Sequence, residues 1–267
     1  MTLNNLKSVQ KLLGTLVMFF SFSMLLPFIA SLIDGDVNTA SSFLASFVFT
    51  LIAGCLLWFP SRSARTDIRL HEGFIIVALF WITLALFGSI PCLMLPASSL
   101  TITDAIFEST SGLTTTGATV MSNLDLLPKG LLFYRAQLQW LGGLGIVVLA
   151  VAIMPLLGVG GMRLYKADSA SSLGDAKLNP RQKETAKSLG KIYLALTLTC
   201  IVCFWIAGMS FFDAICHGLT TIAIGGFSTH DASFGFYQGD PQIFWVASVF
   251  MLLAGVNFSL HFFAWKN

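Results

Sequence analysis

The chain has 267 residues, of which 55% are hydrophobic and only 10% carry a charged side chain, and its mean hydropathy is +0.80. Soluble domains have about 25% charged residues, so this chain has too few polar side chains to cover a folded surface in water. The composition excludes a soluble globular domain. We therefore expect an integral membrane protein surrounded by lipid, with no nucleic-acid partner.

Six apolar stretches are long enough to cross a bilayer as helices, which takes roughly 20 residues. In chain order they are residues 12–33, 43–59, 74–95, 131–157, 192–212 and 243–263. Each is apolar throughout and shows no two-residue alternation, which favours helices over the strands of a membrane barrel. The sequence therefore predicts an all-α membrane protein.

The charged residues predict how these spans are oriented. Threading six spans alternately places nearly all Lys and Arg residues on one side, and leaves only Lys129 and Arg135 on the other. By the positive-inside rule the basic side is cytoplasmic, so both termini are expected there. Most carboxylates fall on the outer side: Asp34, Asp36, Asp104, Glu108, Asp125, Asp213, Asp231 and Asp240. We expect this outer face to attract cations.

Two outer segments, residues 97–129 and 213–241, are long but not polar enough to be ordinary solvated loops. Each opens with a helix-start signal, which is Thr103 in the first and either Ser210 or Asp213 in the second. Each then changes from helix-forming residues to a run rich in Gly and Thr. The order of span, short re-entrant helix, Gly/Thr loop and span therefore occurs twice.

The two copies can be aligned in two registers. Without a gap, three pairs coincide: Asp104 with Asp213, Thr116 with Gly225, and Gly117 with Gly226. A second register matches Leu113-Thr-Thr to Leu219-Thr-Thr but requires a gap. We prefer the ungapped register, which leaves open whether Gly225 or Gly226 is the functional counterpart of Gly117.

Non-helical backbone at membrane depth is tolerated only where protein or water lines a cavity. Potassium channels use such backbone, because carbonyl oxygens of a Thr-x-Gly loop replace the water shell of the ion and glycine permits the left-handed conformation. Thr115-Thr116-Gly117-Ala118 fits this pattern, and Ile224-Gly225-Gly226-Phe227 fits it less closely. We expect K⁺ to bind backbone carbonyls of Thr115, Thr116, Gly117, Ile224, Gly225 and Gly226. The alternative is that both segments are glycine-rich turns that only cap helices. The occurrence of two such segments at matched places argues against it.

These motifs resemble the TrkH family of Trk-type bacterial potassium uptake membrane subunits. The runs 107–119 and 221–231 are similar to the first and second filter loops of that family. Residues 71–74, 133–145 and 157–162 extend the resemblance over nearly the whole chain.

The resemblance implies a pore of four span–loop–span repeats preceded by two extra helices. Here the extra helices and a cytoplasmic loop would occupy residues 1–72, repeat 1 residues 73–160, a cytoplasmic linker 161–190, and repeat 2 residues 191–267. Repeats 3 and 4, with an intramembrane gating loop, are expected to be absent from this chain. Since four loops surround an ion, the chain is either a truncated half or works with a separate second half.

The function implied is potassium uptake across the bacterial inner membrane, with K⁺ as the transported ligand and no covalent cofactor. Whether transport is channel-like or a symport with H⁺ or Na⁺ stays open, and so does a truncated half that inserts without conducting. The implied partners are a second copy, as a homodimer, and a cytosolic nucleotide-binding regulator of the TrkA type. The basic segment 166–191 is either the docking surface for that regulator or a loop that faces lipid. We expect no enzyme, because His217, His230 and Asp231 form no recognised nucleophile or metal motif.

Three ionisable residues near the loops have more than one interpretation. We expect Arg135 to pair with Asp125 or to reach the interface by snorkelling, with a direct role at the filter as the alternative. Glu108 and His217 each follow the shared Asp by four residues, and are either functional or simply solvated or hydrogen-bonded.

The remaining motifs have structural interpretations. The glycines of 142–145 and 158–161 do not form a nucleotide-binding pattern, and close helix packing or a helix break explains them better. Cys200 and Cys203 are expected to behave as small apolar side chains within a span.

Overall fold

The computed structural model describes residues 3–64, 70–95, 100–153 and 180–256, and this part of the chain is helical. The α-helices are α1 Leu3–Ser23, α2 Leu25–Ile33, α3 Val37–Trp58, α4 Leu70–Gly88, α5 Ile90–Met94, α6 Ile102–Leu113, α7 Lys129–Ile153, α8 Pro180–Ile206, α9 Phe211–Ile222 and α10 Pro241–Gly255. Short 3₁₀ turns lie at Phe59–Ser61, Leu124–Leu126 and Ser233–Tyr237.

Four helical segments among the described residues are long and apolar enough to cross a membrane: Leu6–Ile33, Val37–Ser61, Ile75–Met94 and Lys187–Ile206. They correspond to the first, second, third and fifth predicted spans. The fourth predicted span falls on α7, which has 25 residues. The sixth falls on α10, which ends at Gly255 after 15 residues. Residues 154–157 and 257–263 of these two predicted spans lie outside the described residues.

Two of the spans are broken near one end, where hydropathy predicts continuous helices. The regular α-helix is interrupted at Met24, between α1 and α2, and at Ser89, between α4 and α5, although both residues keep right-handed helical dihedral angles. A proline follows each break, Pro27 in α2 and Pro91 in α5. Proline lacks the N–H that binds the carbonyl four residues earlier, so it interrupts the backbone hydrogen bonds of each span.

Two carbonyls at these breaks, one of them freed by Pro27, bind side chains of α7. The Ser23 carbonyl oxygen accepts a hydrogen bond from Gln137 Nε2 at 2.8 Å. The Gly88 carbonyl oxygen accepts one from the Tyr134 hydroxyl, also at 2.8 Å. Lipid offers no donors to such groups, so the buried polar side chains of α7 stabilise both bends.

The predicted fifth span, residues 192–212, is wrong at its end, because α8 stops at Ile206. The chain turns at Gly208, whose φ of +109° glycine adopts readily. Met209 N then donates to the Phe204 carbonyl oxygen at 3.1 Å, which closes the helix. The next helix, α9, begins only two residues later.

The two short helices α6 and α9, each of 12 residues, have matching caps. Thr101 Oγ1 accepts from Asp104 N at 3.2 Å, and the Asp104 carboxylate accepts from Thr101 N. The predicted start at Thr103 is therefore wrong, because Asp104 completes a capping box with the residue three positions before it. In α9, Ser210 Oγ accepts from Asp213 N at 3.1 Å, so Ser210 and not Asp213 is the cap.

Glycines allow close packing at two places. An added Cβ on Gly142 would lie 1.9 Å from the Leu113 carbonyl oxygen, and one on Gly143 would lie 2.6 Å from the Tyr193 hydroxyl. This confirms the packing expected for residues 142–145, whereas residues 158–161 lie outside the described residues. At the crossing of α1 and α3, an added Cβ on Gly14 would lie 2.7 Å from Trp58 N.

We predict that Gly14→Ala destabilises the protein by about 1–3 kcal/mol, because its methyl group would overlap the backbone of α3. The matched control is Gly190→Ala in α8, where an added Cβ meets no atom within 4 Å. There alanine should be neutral or slightly stabilising, since it favours helix by about 1 kcal/mol over glycine. Thermal unfolding of the detergent-purified protein measures both effects. Equal shifts of the two midpoints would contradict the close crossing.

Candidate functional site

Two loops that follow α6 and α9 share one backbone conformation: loop 1, residues 114–120, and loop 2, residues 223–229. In loop 1 the residues with positive φ are Thr115 (54°) and Gly117 (76°). In loop 2 they are Ile224 (52°) and Gly226 (85°). Thr115 is as far from Ile224 in sequence as Asp104 is from Asp213, and the same distance separates Gly117 from Gly226.

The hydrogen bonds that end the two helices repeat at that offset. Thr116 N donates to the Ser111 carbonyl oxygen at 2.9 Å, and Gly225 N donates to the Thr220 carbonyl oxygen at 2.9 Å. The structure therefore has the ungapped register, and the gapped alternative is wrong. In backbone geometry the counterpart of Gly117 is Gly226, and Gly225 corresponds to Thr116.

Thr115 and Ile224 carry a local conformational cost. Both are β-branched, and β-branched residues rarely adopt the left-handed region. Such a residue costs about 1–3 kcal/mol and persists only where its surroundings fix it, a situation that is common at ligand sites. The same cost at matched positions of both loops marks the loops as the candidate site.

The carbonyl oxygens of the loops are the main candidate ligands. Within the described part of the chain, no N–H or O–H group donates to the carbonyls of seven residues: Thr115, Thr116, Gly117, Ala118, Ile224, Gly225 and Gly226. A backbone carbonyl without a donor from the protein binds water or a ligand instead. A consecutive run of carbonyls without donors is therefore a place where a cation can supply the missing interaction.

The two loops contact each other at their glycines. An added Cβ on Gly117 would lie 2.0 Å from the Gly225 carbonyl oxygen. One side of both loops is open, since Thr116, Ala118 and Gly226 are exposed. The predicted site residues therefore lie together in one place. Phe227 is buried, and its ring lies under the Arg135 guanidinium at 4.3 Å.

Arg135 and Glu108 form a buried ion pair behind the loops. Arg135 Nε donates to Glu108 Oε1 at 2.8 Å, and each side chain is only 1% exposed. The expected pairing of Arg135 with Asp125, or its snorkelling to the interface, is wrong. Helix α7 places the guanidinium inside the protein, where Glu108 neutralises it, and the remaining nitrogens contact both loops.

Asp125 instead contributes to a contact between the segments beyond the loops. Its carboxylate accepts a hydrogen bond from His230 Nδ1, and this bond holds the pKa of Asp125 below its usual value. Asp231 in turn accepts from Leu124 N at 2.9 Å. The His230 ring stacks on Phe236 with 3.7 Å between centroids. The outer ends of both loops are thus joined.

Glu108 and His217 occupy matched positions and make matched contacts. Glu108 accepts from Thr119 Oγ1 at 2.8 Å, and His217 Nε2 lies 3.1 Å from Ser228 Oγ. Both side chains are buried. Of the two interpretations offered by the sequence, hydrogen bonding is confirmed, and in each repeat it ties the helix to its own loop.

Gln139 is the site residue that sequence reasoning missed. It lies one helical turn after Arg135 on α7 and is fully buried. Its Oε1 accepts from Phe227 N at 3.1 Å, and an added Cβ on Gly225 would lie 2.3 Å from its Cδ. The available signal was a polar amide within an apolar span, at helical spacing from an arginine.

Comparison with known proteins gives consistent results. The TrkH family model, described as cation transport protein, matches residues 39–266. The Trk system potassium uptake protein TrkH of Halomonas elongata is 50% identical over 263 residues, which are 98% of this chain and 54% of that protein. The protein of the same name from Escherichia coli K12 is 49% identical over 256 residues, or 96% of this chain and 53% of that protein.

A solved structure agrees with the fold. The crystal structure of the potassium transporter TrkH from Vibrio parahaemolyticus matches with a TM-score of 0.86 and 46% identity, over 96% of this chain and 51% of that one. The chain therefore spans about half the length of the relatives it matches. With a family model that matches most of its residues, the chain belongs to the TrkH family of cation transport proteins.

Proposed function

We propose that this chain contributes the first two filter loops of a potassium uptake pore in a Trk-type system. The observation that carries the proposal is the run of carbonyls without donors on loops 1 and 2. The relatives named Trk system potassium uptake protein support K⁺ as the ion. The pore-forming ligands are the carbonyl oxygens of Thr115, Thr116, Gly117, Ile224, Gly225 and Gly226.

The physical basis of this function is the exchange of ligands around the ion. A potassium ion enters the filter when carbonyl oxygens replace its hydration water at little cost. Helices α6 and α9 both end at the loops, so each directs the partial negative charge of its C-terminus, about half an elementary charge, toward them.

The wider architecture follows from the family. We place the extra helices in residues 1–72, repeat 1 in 73–160, a linker in 161–190 and repeat 2 in 191–267, with both termini in the cytoplasm of a bacterial cell. Two further repeats complete the ring around the ion, and the pore works as a homodimer with a TrkA-type nucleotide-binding regulator. The regulator would dock at the segment 166–191, of which side chains are described only from Lys187 onward.

The first experiment tests transport in a bacterial strain that lacks potassium uptake systems. We expect residues 1–267 alone to insert without restoring growth at low potassium, because two loops cannot surround an ion. Co-expression with the second half of the Halomonas elongata relative should restore growth. Growth with residues 1–267 alone would show that copies of this chain complete the ring themselves. Correct insertion of both halves without any growth would contradict the proposed function.

The second experiment tests the filter glycines in residues 1–267 co-expressed with the second half of the Halomonas elongata relative. Gly117→Ser and Gly226→Ser should both lower the ratio of K⁺ to Na⁺ uptake, since both glycines have positive φ. The effect should be larger at Gly117, where a Cβ also overlaps the Gly225 carbonyl, than at Gly226, where it meets no atom within 4 Å. Gly239→Ser, with equally open space, is the control. An unchanged ratio in both filter variants would overturn the filter assignment.

A further inference from the structure

One face of α7 contacts both loops through two side chains, Arg135 and Gln139, which lie one helical turn apart and therefore point the same way. Neither contact is local, because the bonds from α7 to loop 2 link residues 88 to 93 positions apart in sequence. The helix belongs to the first repeat but contacts the loop of the second. This arrangement ties the two repeats together at the candidate filter.

Arg135 contacts counterpart residues of the two loops. Its Nη2 donates to Thr119 Oγ1 at 3.0 Å, and its Nη1 donates to the Ser228 carbonyl oxygen at 3.2 Å. Thr119 and Ser228 are counterparts in the ungapped register, each two residues after its positive-φ glycine. The rigid fork of a guanidinium suits such a link, since its donors keep fixed angles to one another.

Gln139 lies directly against the filter backbone. Its Oε1 accepts from the N–H of Phe227, the residue that follows Gly226. Its side-chain amide fills the space next to Gly225, and an added Cβ on Gly117 would lie 3.6 Å from its Nε2. The amide therefore lies between the glycines of both loops and limits how far either can move.

We propose that Arg135 and Gln139 are positioning residues that set the K⁺ over Na⁺ selectivity of the filter. The inference rests on the proposed function, because it assumes that the loops bind K⁺. The mechanism is positional: the hydrogen bonds of Arg135 and Gln139 hold the two loops at a fixed separation, while Glu108 balances the charge of Arg135. Without these contacts, loops 1 and 2 would shift relative to each other and would accommodate the smaller Na⁺.

The Gln139→Leu variant tests this inference in the same co-expression system. Leucine keeps most of the volume but loses the bond to Phe227 N, and the K⁺ to Na⁺ uptake ratio should fall about tenfold, as expected for one lost hydrogen bond. The control is Gln137→Leu on the same helix. Gln137 is also a buried glutamine, but it bonds to Ser23 in the bend between α1 and α2. Its loss should reduce the amount of folded protein and leave the ratio unchanged.

For Arg135, a single substitution would leave the Glu108 charge buried without a partner and could prevent folding. The paired variant Glu108→Gln/Arg135→Met removes both charges and keeps an acceptor for Thr119. It should fold and insert, yet show a lowered K⁺ to Na⁺ ratio, because methionine cannot donate to the Ser228 carbonyl. If the pair only balances buried charge, the double variant will have the wild-type ratio, and the role assigned to Arg135 is overturned.

Gly117→Ser separates this inference from the proposed function. If it lowers the ratio while Gln139→Leu and the paired variant do not, the filter assignment stands and the positioning role of α7 is wrong. If none of the three changes the ratio, the filter assignment fails, and the inference fails with it. Uptake is normalised to the amount of protein inserted in the membrane, so that reduced folding cannot imitate a change in selectivity.

Discussion

The ion pair between Glu108 and Arg135 is the interaction on which the arrangement of the two loops depends. Charges inside a membrane protein are costly unless they are paired and hydrogen-bonded, so the pair fixes the position of α6 against α7. The guanidinium has donors left after binding Glu108, and these reach Thr119 in one loop and Ser228 in the other. One buried pair thus contacts both loops, close to the place where Gly117 meets the Gly225 carbonyl oxygen.

Around α7, the backbone carbonyls at the bends and those at the loops differ in their hydrogen bonding. At the two broken spans, Gln137 and Tyr134 of α7 donate to carbonyls at the bends. At the loops, on another face of α7, Gln139 binds an N–H and leaves the carbonyls free. In lipid a carbonyl without a donor is expensive. Where the fold only needs a bend it provides a donor, and where it forms the candidate filter it leaves the oxygens for a cation.

Hydropathy and local motifs predicted much of this fold, and the reasons are local. Apolar length identified the spans, and the shared Asp-Ala-Ile located α6, α9 and the loop register, although the cap of α6 is Thr101 and not the predicted Thr103. The wrong predictions concern features that depend on tertiary contacts or that do not change the hydropathy of the sequence. The breaks at Met24 and Ser89 lie in continuously apolar sequence, and the partner of Arg135 depends on how α6 packs against α7. Asp125 is a nearer neighbour of Arg135 in sequence than Glu108, yet only the tertiary packing decides between them. Gln139 was missed for the same reason.

The loops of the two repeats share one backbone conformation, but different side chains hold them in place. Loop 1 is held by a charged pair, Glu108 and Arg135. Loop 2 is held within its own repeat by His217, which contacts Ser228, and by Asp213, which accepts from Thr229 Oγ1 at 2.7 Å. The first repeat adds two hydrogen bonds to loop 2, one from Arg135 Nη1 to the Ser228 carbonyl oxygen and one from Phe227 N to Gln139 Oε1. Gly117 is enclosed while Gly226 is open. The two loops of this candidate filter therefore have different supports, and α7 of the first repeat contacts the second loop as well as its own.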